Sequence, residues 1–441
     1  MSTRQTALAV ARAMLTTPVS RFGMLERMPT CTRFAADANT ELVDLMLARG
    51  LASHWTVERL ADELELEATF HSACENAKQR PLIHGWFMTR AMTLAPLPKA
   101  LQSLDRPRWT SAGALAESLD VSVSGLWRLT RSASWQRRAP LGEQHYRYEL
   151  LPKRAGGWRL LEVPHPYLRA LQRKVLDQLL AHVPPHEAAI GYVRGRSVVD
   201  HARAHVGQAV LLKFDLQDFF TTVRASRVHA TFFELGYSSA VARELMALCT
   251  TATPEPVLER LRDEGAMTWM QAMRLRDAHL PQGAPTSAAL ANLCAFRLDT
   301  RIAGLARSLG ARYTRYADDV VLSGDASLLR ASDRVETRLG AWALEDGFAL
   351  NHRKTRRVTR SRRQEVCNVV VNAQPNLPRD EFDRLKAQLH ACATKGAAAQ
   401  NRAGVLNWEQ HLRGRVAWAE QLNPTKAQRL RRLLDRIDWT S

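Results

Sequence analysis

Two adjacent aspartates, Asp318 and Asp319, follow Tyr316 and Ala317 in the run RYTRYADDVVLSG. The residues on both sides are β-prone, so the pair is predicted to lie at a tight turn between two strands. Neighbouring carboxylates repel each other unless cations neutralise them. Because side chains alternate along a strand, we expect Asp318 to face a metal directly and Asp319 to be more peripheral. The alternative is an ordinary hairpin tip, where aspartate is common.

A third aspartate, Asp215, ends the β-prone run AVLLKFD. Alone, it resembles a solvated acid at the end of a strand. Together with Asp318 and Asp319 it could bind two Mg²⁺ ions roughly 4 Å apart, with Mn²⁺ as an alternative ion. Such a pair of ions activates an attacking 3′ oxygen and stabilises a departing pyrophosphate, so the three acids indicate nucleotidyl transfer.

Basic residues lie in two further segments. Lys153 and Arg159 flank a Gly-Gly turn and are predicted to clamp the β and γ phosphates of a nucleotide. The run LNHRKTRRVTRSRR includes Arg356 and Arg357 and contains no acid. It is predicted to contact a nucleic-acid backbone, the alternative being a solvated charged face.

The composition agrees with a polyanionic partner. The 441 residues carry a formal net charge of +18, which attracts nucleic acid or, as a competing interpretation, an anionic membrane surface. No apolar run approaches the roughly 18 residues that span a bilayer. The six cysteines show no CxxC spacing, which argues against a zinc site and a disulfide framework. We therefore expect a cytoplasmic protein without a membrane partner.

The elements that must position these residues change along the chain. Residues 1–105 are predicted to be an all-helical N-terminal region, and 106–140 a helix-turn-helix-like segment with helices at Ala112 to Leu119 and from near Ser124. That segment either packs in the core or contacts nucleic acid. Strand patterns alternate with helices over 141–372, and 373–441 returns to helix. The predicted fold class is α+β.

The order of five motifs resembles that of reverse transcriptases, most closely the bacterial retron type. The motifs are LPKRAGGWRLLEVPHPYLRALQRKVL, GYVRGRS, KFDLQDFF, LPQGAPTSAALANL and YADD. The resemblance covers about residues 140–441. It implies a right-hand polymerase with fingers and an antiparallel palm over 141–372 and a helical thumb over 373–441. It also implies that Asp215, Asp318 and Asp319 bind metal.

The resemblance assigns further roles around these acids. It implies that the backbone at Asp218 and Phe219 supports the incoming triphosphate and that Phe220 lies under the sugar as a steric gate. It implies that Gln282 and Gly283 fit the nucleotide and the template. From the residues alone, Phe220 could equally be a core aromatic and Gly283 a simple turn.

Two more segments are similar to retron enzymes and depart from their signatures. His201 stands at the first position of the N-A-x-x-H signature, which ends at His205, and Cys367-Asn368 stand in the V-T-G signature. The family associates both signatures with its cognate RNA, so His201 and His205 are predicted to bind RNA. The departures indicate a divergent RNA partner or a related defence-type enzyme.

We therefore expect an RNA-directed DNA polymerase that uses dNTPs to copy a structured non-coding RNA into DNA. The resemblance places it in anti-phage defence, with an effector protein as a further partner, and matches Lys354 to a lysine that protonates leaving pyrophosphate. Two alternatives stay open. One is an RNA-binding or effector-restraining scaffold that docks through its N-terminal helices, and the other is a reverse transcriptase of the CRISPR-adaptation type. The presence of all three aspartates favours activity.

Overall fold

The computed structural model describes residues 2–16, 20–51, 55–77, 79, 81–85, 87, 94–152 and 157–439. The chain forms two compact units, each made from two stretches: residues 1–184 with 220–291, and residues 185–219 with 292–441. Helices and antiparallel sheets are both present, which confirms the predicted α+β class. The boundaries of the four predicted segments stay a prediction.

The helices and strands of the described residues are numbered in chain order. The α-helices are α1 (Thr3–Leu15), α2 (Arg21–Cys31), α3 (Ala36–Ala48), α4 (Val57–Glu65), α5 (Ala68–Asn76), α6 (Ala112–Leu119), α7 (Val123–Leu129), α8 (Ala133–Arg138), α9 (Pro166–Gln178), α10 (Val198–Arg203), α11 (Ala225–Glu234), α12 (Ser239–Cys249), α13 (Glu255–Asp263), α14 (Trp269–Arg276), α15 (Ser287–Cys294), α16 (Phe296–Ser308), α17 (Ala326–Arg330), α18 (Ser332–Glu345), α19 (Arg379–Lys395), α20 (Ala397–Gln400), α21 (Trp408–Leu422) and α22 (Pro424–Leu434). The strands are β1 (Tyr146–Pro152), β2 (Trp158–Pro164), β3 (Val210–Asp215), β4 (Arg312–Tyr316), β5 (Asp319–Gly324), β6 (Arg356–Thr359), β7 (Glu365–Val366) and β8 (Val369–Val370). Short 3₁₀ turns cover Lys99–Leu101, Leu141–Glu143, Leu180–His182 and His352–Lys354.

Helices α1 to α5 share one apolar core in the first unit. Helix α1 begins at a capping box, in which the Ser2 hydroxyl accepts from the Gln5 backbone N–H and the Gln5 side chain accepts from the Ser2 N–H. Its buried residues include Leu8 and Met14, and α1 packs against α2 and α4. The helical pattern predicted for this part of the chain is therefore present in its described residues.

Serine caps begin the next three helices. The side chains of Ser111, Ser122 and Ser132 each accept a hydrogen bond from a backbone N–H three residues later. The helices predicted at Ala112 to Leu119 and from near Ser124 are confirmed as α6 and α7. Both pack against α12, and a nucleic-acid contact of this segment stays a prediction.

The first unit also contains an antiparallel hairpin of β1 and β2, with Tyr146 opposite Pro164 and Pro152 opposite Trp158. Strand β2 leads into α9, which carries Pro166 in its first turn, where a missing N–H costs nothing. Further along, α11 and α12 follow each other closely in the chain. Gly236 (φ +82°) lies between them in a conformation that suits glycine.

The second unit is built on a four-stranded antiparallel sheet with the order β4-β5-β3-β6. Strand β3 (VLLKFD) is buried along nearly its whole length, and this explains its apolar sequence and its central place. Behind it, α19, α21 and α22 pack into a core that includes Leu385, Leu412, Val416 and Leu430. The predicted return to helix after Pro378 is confirmed. No helix in the described part of the chain has the length and apolarity that a bilayer crossing requires.

Candidate active site

The three aspartates meet at one end of the central sheet of the second unit. Asp215 ends β3 and is the direct cross-strand partner of Asp319, the first residue of β5. Directly opposed residues of an antiparallel pair project from the same face, so these two carboxylates are neighbours. The Asp318 carbonyl accepts a hydrogen bond from the Leu216 N–H at 2.9 Å, which ties the turn to the exit of β3. The strand register places Asp319 directly opposite Asp215, a pairing that was not predicted from the sequence. That Asp318 contacts a metal more directly than Asp319 stays a prediction.

The turn between β4 and β5 is a two-residue hairpin loop with an unusual backbone. Tyr316 pairs with Asp319, so Ala317 and Asp318 form the tip. Ala317 has φ +56°, a left-handed conformation that glycine normally occupies in such turns. A Cβ atom on Gly191 would lie 2.6 Å from the Ala317 nitrogen, so the absence of a side chain in the GYVRGRS motif lets the two segments approach.

The pKa values of Asp318 and Asp319 are both raised in this site. Burial, followed by the charges of Asp319 and Asp215, raises the pKa of Asp318 to about 6. Burial also raises the pKa of Asp319, with Asp215 adding to the shift. Asp319 additionally accepts a hydrogen bond from the Cys367 thiol at 3.6 Å. The site therefore holds more negative charge than its surroundings neutralise.

The donor set suits a hard divalent cation. Carboxylate oxygens are the ligands that Mg²⁺ prefers, and a cation would relieve the repulsion that raises the pKa of Asp318. Among the described residues, no three acidic, histidine or cysteine side chains are already arranged around a common metal position. The residues fit a divalent ion by their chemistry, and the number of ions stays a prediction.

Lys354 lies against the aspartates, at the end of the 3₁₀ turn His352–Lys354. Its Nζ atom donates to Asp215 Oδ2 at 2.8 Å. Burial by itself lowers the pKa of Lys354, but the hydrogen bond and charge of Asp215 outweigh it and raise the pKa. The lysine is therefore protonated at neutral pH and holds its proton beside the acids.

The residues that follow Asp215 are placed by tight packing. Phe219 is buried, and its ring stacks on Phe348 at a centroid distance of 5.5 Å. Asp218 has φ +49°, so the backbone turns sharply after β3. Phe220 is half-buried and belongs to the first unit, whose second stretch begins at this residue. The roles of these three residues toward a nucleotide stay predictions.

In the first unit, β2 contacts the segment that holds Gln282 and Gly283. The Glu162 N–H donates to the Gln282 carbonyl at 3.1 Å. Gly283 has φ +147°, and a Cβ atom there would lie 2.9 Å from the Glu162 carbonyl oxygen. Gly283 is thus required by a close approach of two segments. Arg159 is exposed on β2 opposite Leu151, and Lys153 lies outside the described residues.

A buried acid and histidine beside Gln282 are not identified by the sequence argument. Glu162 Oε2 lies 2.8 Å from His279 Nε2, and Glu162 Oε1 accepts from the Thr253 hydroxyl at 2.7 Å. His279 Nδ1 faces the Asp277 carbonyl at 2.7 Å and must carry a proton there, since a carbonyl only accepts. The signal available in the sequence is a polar residue, Glu162 or His279, inside each of two otherwise largely apolar motifs, LLEVP and HLPQG.

The two histidines predicted to bind RNA are buried against the catalytic hairpin. His205 contacts the hydroxyls of Ser323 and Thr314, both at 2.7 Å, and His201 contacts the Thr314 hydroxyl at 2.6 Å. Burial lowers the pKa of each ring to about 3, so both are neutral at pH 7. Neither ring has exposed surface to offer to RNA in this structure. Their observed contacts support β4 and β5.

The predicted basic segment contains two kinds of arginine. Arg357 forms ion pairs with Asp333 at 2.7 Å and Glu336 at 2.8 Å, so the segment that lacks acids in sequence acquires them from α18. Arg356 instead donates to the carbonyls of Arg353 and Thr355, both at 2.8 Å, and is exposed. Of the two, Arg356 has more of its charge available to a phosphate.

Comparisons with known proteins agree with this geometry. Residues 151–385 match the family described as reverse transcriptase (RNA-dependent DNA polymerase). The retron Mx65 reverse transcriptase of Myxococcus xanthus is 38% identical over 81% of this chain and 80% of that protein. The retron Mx162 reverse transcriptase of the same organism is 30% identical over 89% of this chain and 74% of that protein. The retron Ec86 reverse transcriptase of Escherichia coli is 28% identical over 66% of this chain and 80% of that protein.

Three aspartates at one end of a sheet, a family match that spans them and the similarity to the Myxococcus enzymes lead to one conclusion. The chain belongs to the reverse transcriptase family, as an RNA-directed DNA polymerase of the retron type.

Proposed function

We propose that this enzyme copies a structured non-coding RNA into DNA by nucleotidyl transfer at Asp215, Asp318 and Asp319. The observation that carries the proposal is the pairing of Asp215 with Asp319 beside the strained tip that presents Asp318. The names of the relatives support a retron RNA as the template, and by the same resemblance the first nucleotide is added to a 2′-hydroxyl of that RNA. Anti-phage defence with an effector protein, in the cytoplasm, is the proposed setting.

Two Mg²⁺ ions held by the three aspartates, or Mn²⁺ in their place, would activate the attacking oxygen and stabilise the leaving pyrophosphate. The chain supplies the remaining functions. Lys354 is proposed to give a proton to the leaving group, which its hydrogen bond to Asp215 supports. The carboxylates are buried close together and repel one another, as the raised pKa of Asp318 reflects. We expect this repulsion to favour cation binding at the site.

Further residues are proposed to bind the nucleotide and the template. Arg159, with Lys153, is proposed to bind the β and γ phosphates, and Phe220 to exclude a 2′-hydroxyl. Gln282 and Gly283 are proposed to align nucleotide and template, supported by the fixed backbone contact of Gly283 with β2. Arg356 is proposed to contact the phosphate backbone of RNA because its charge is exposed.

The experiment is to purify the protein from cells, sequence the nucleic acids that accompany it and compare an Asp318→Ala/Asp319→Ala variant. We expect a DNA complementary to one abundant RNA in the wild type and only the RNA in the variant. Equal amounts of the DNA in both preparations would reject the polymerase assignment for these acids. Absence of any single abundant RNA would reject the dedicated template.

A further inference from the structure

Arg315 is a fully buried arginine three residues before Asp318 on β4. A buried guanidinium is costly unless every donor finds a partner. Asp299 on α16 satisfies two donors, with Arg315 Nε to Asp299 Oδ1 at 2.8 Å and Arg315 Nη2 to Asp299 Oδ2 at 2.6 Å. This bidentate pair fixes the plane of the guanidinium and leaves the Nη1 donors available for other acceptors.

The remaining nitrogen of Arg315 reaches the tip of the catalytic hairpin. Nη1 donates to the Ala317 carbonyl at 2.9 Å and to Asn292 Oδ1 at 2.9 Å. Asn292 in turn donates to the Gly191 carbonyl at 2.9 Å. Gly191 is the residue whose missing side chain makes room for the Ala317 nitrogen. The strained Ala317 is therefore held at its carbonyl by Arg315 and confined at its nitrogen by Gly191.

We propose that Arg315 is a positioning residue for catalysis. Its charge-assisted hydrogen bond holds Ala317 in the left-handed conformation, and this conformation sets the direction in which Asp318 and Asp319 leave the turn. The proposal rests on the proposed function of those two acids. A left-handed alanine is unfavourable without such a constraint, and a peptide rotation at the tip would displace Asp318 from Asp215.

Arg315 touches neither the acids' side chains nor, by its burial, a substrate. The guanidinium also lies 5.4 Å from the centroid of the Phe219 ring, so the proposed route through the Ala317 backbone is tested separately, by restoring activity with a substitution at Ala317. A neighbour provides the matched control, since the Tyr313 hydroxyl donates to the same Asp299 Oδ1 at 2.6 Å, on the side of the ion pair away from the Ala317 carbonyl hydrogen bond. Loss of that hydroxyl should weaken the buried hydrogen-bond network but keep the hydrogen bond from Arg315 Nη1 to the Ala317 carbonyl.

The test compares two replacements of Arg315. The first is Arg315→Met/Asp299→Leu/Tyr313→Phe, in which apolar side chains replace the buried ion pair and its hydroxyl, an exchange that folded proteins often tolerate. The second is Arg315→Lys, which keeps the charge beside Asp299 but has all its donors on one nitrogen, and so lacks the planar group that reaches Asp299 and Ala317 together. Tyr313→Phe alone is the control. Thermal unfolding establishes that each variant is folded, and primer extension on an RNA template gives kcat and the KM for dNTP.

We expect both Arg315 replacements to lower kcat by about 100-fold, since small misplacement of reacting groups has effects of this order. KM should change little, and Tyr313→Phe should keep the wild-type kcat. Adding Ala317→Gly should restore kcat by about tenfold in either background, because glycine adopts the left-handed conformation without a constraint.

A folded Arg315 variant with wild-type kcat would overturn the proposal, as would a loss that Ala317→Gly does not restore. If the triple replacement does not fold, the proposal is tested by comparing kcat of Arg315→Lys with that of Arg315→Lys/Ala317→Gly. Asp318→Ala/Asp319→Ala is measured alongside. Retained activity in that variant would reject the proposed function itself, whatever Arg315 does.

Discussion

Asp318 combines a functional position with an unfavourable environment. Burial and the two neighbouring aspartates raise its pKa to about 6, well above that of an unfolded aspartate. A group with a raised folded pKa contributes stability while it is protonated. That contribution is present below about pH 4 and is lost as the pH rises through 6.

Replacement of Asp318 with asparagine should therefore stabilise the metal-free protein while it stops DNA synthesis. In EDTA at pH 8 we expect the free energy of unfolding to rise by on the order of 2 kcal/mol, and at pH 5 by about half as much. Urea unfolding at both pH values measures this. Asp263→Asn, on the exposed end of α13, is the control for loss of one charge. Equal gains at pH 5 and pH 8 would contradict the electrostatic explanation.

Glu244 on α12 is a second acid with a raised pKa, and it lies in the first unit. Burial, then the charge of Glu58, raises its pKa to about 8, and its Oε2 atom has no hydrogen-bond partner. Its contribution to stability is present below about pH 4.5 and is lost as the pH rises through 8.

Glu244→Gln should consequently flatten the dependence of unfolding on pH. We expect the wild type to lose on the order of 2 kcal/mol more than the variant between pH 6 and pH 9. Chemical unfolding followed by circular dichroism at several pH values measures the difference. Parallel curves for the two proteins would show that Glu244 ionises without penalty in the fold.

The sequence identified single residues well where their neighbours in the chain carry the information. Asp215, Asp318 and Lys354 each lie in a contiguous motif, and the structure brings them together. Arg315 and its partner Asp299 were missed, since an ion pair between a strand and a helix has no contiguous pattern. The burial of His205 was not predicted, because the hydroxyls that contact its ring come from strands that lie far away in the chain, and its RNA contact stays a prediction.

At the scale of elements, β2 and the segment that contains Gln282 are joined by both backbone and side-chain contacts. Their backbones are hydrogen-bonded at Glu162, and the side chain of that residue pairs with His279 just before the segment. Gly283 approaches β2 so closely that a methyl group would contact the Glu162 carbonyl at 2.9 Å. The position of Gln282 is therefore set by a strand that lies over a hundred residues earlier.

Gly283→Ala should shift Gln282 and weaken nucleotide binding. Because the added Cβ meets backbone, which cannot move aside easily, we expect the KM for dNTP to rise about tenfold with a smaller change in kcat. Steady-state primer extension at varied dNTP measures both. Gly304→Ala on α16 is the matched control, since a Cβ atom there meets nothing within 4 Å. An unchanged KM in the folded variant would remove Gln282 from the nucleotide site.

Element types were easier to predict than their partners. Caps and apolar periodicity are local, so α6 was predicted with its observed bounds and α7 with its start to within one residue. Strand register depends on residues far away in the chain, and so the opposition of Asp215 to Asp319 could not be predicted. The same limit applies to β6, whose arginines acquire acidic partners from α18.

For the whole molecule, the net charge of +18 predicts RNA binding that weakens steeply with salt. An individual arginine contributes to RNA binding only where its charge is not already paired with a carboxylate. Arg357 is paired with Asp333 and Glu336, whereas Arg356 bonds to carbonyls.

Arg356→Gln should reduce the slope of log Kd against log salt by about 0.7, the value of one contact to single-stranded RNA. Arg357→Gln should change the slope much less. Fluorescence anisotropy with one labelled RNA between 50 and 300 mM salt, on the order of the physiological range, measures both variants. A larger loss of slope for Arg357 would show that its ion pairs open when RNA binds.

The central strand β3 has a consequence for how the protein is made. It is the most apolar strand of its sheet, yet its partners β5 and β6 lie roughly 100 and 145 residues later. At about 5–20 residues per second, a ribosome needs roughly 5–30 s to supply them. During that interval both edges of β3 lack hydrogen-bonding partners on the nascent chain, a state that favours association with other chains. The yield of active enzyme in a cell should thus depend on chaperones that shield this strand during translation.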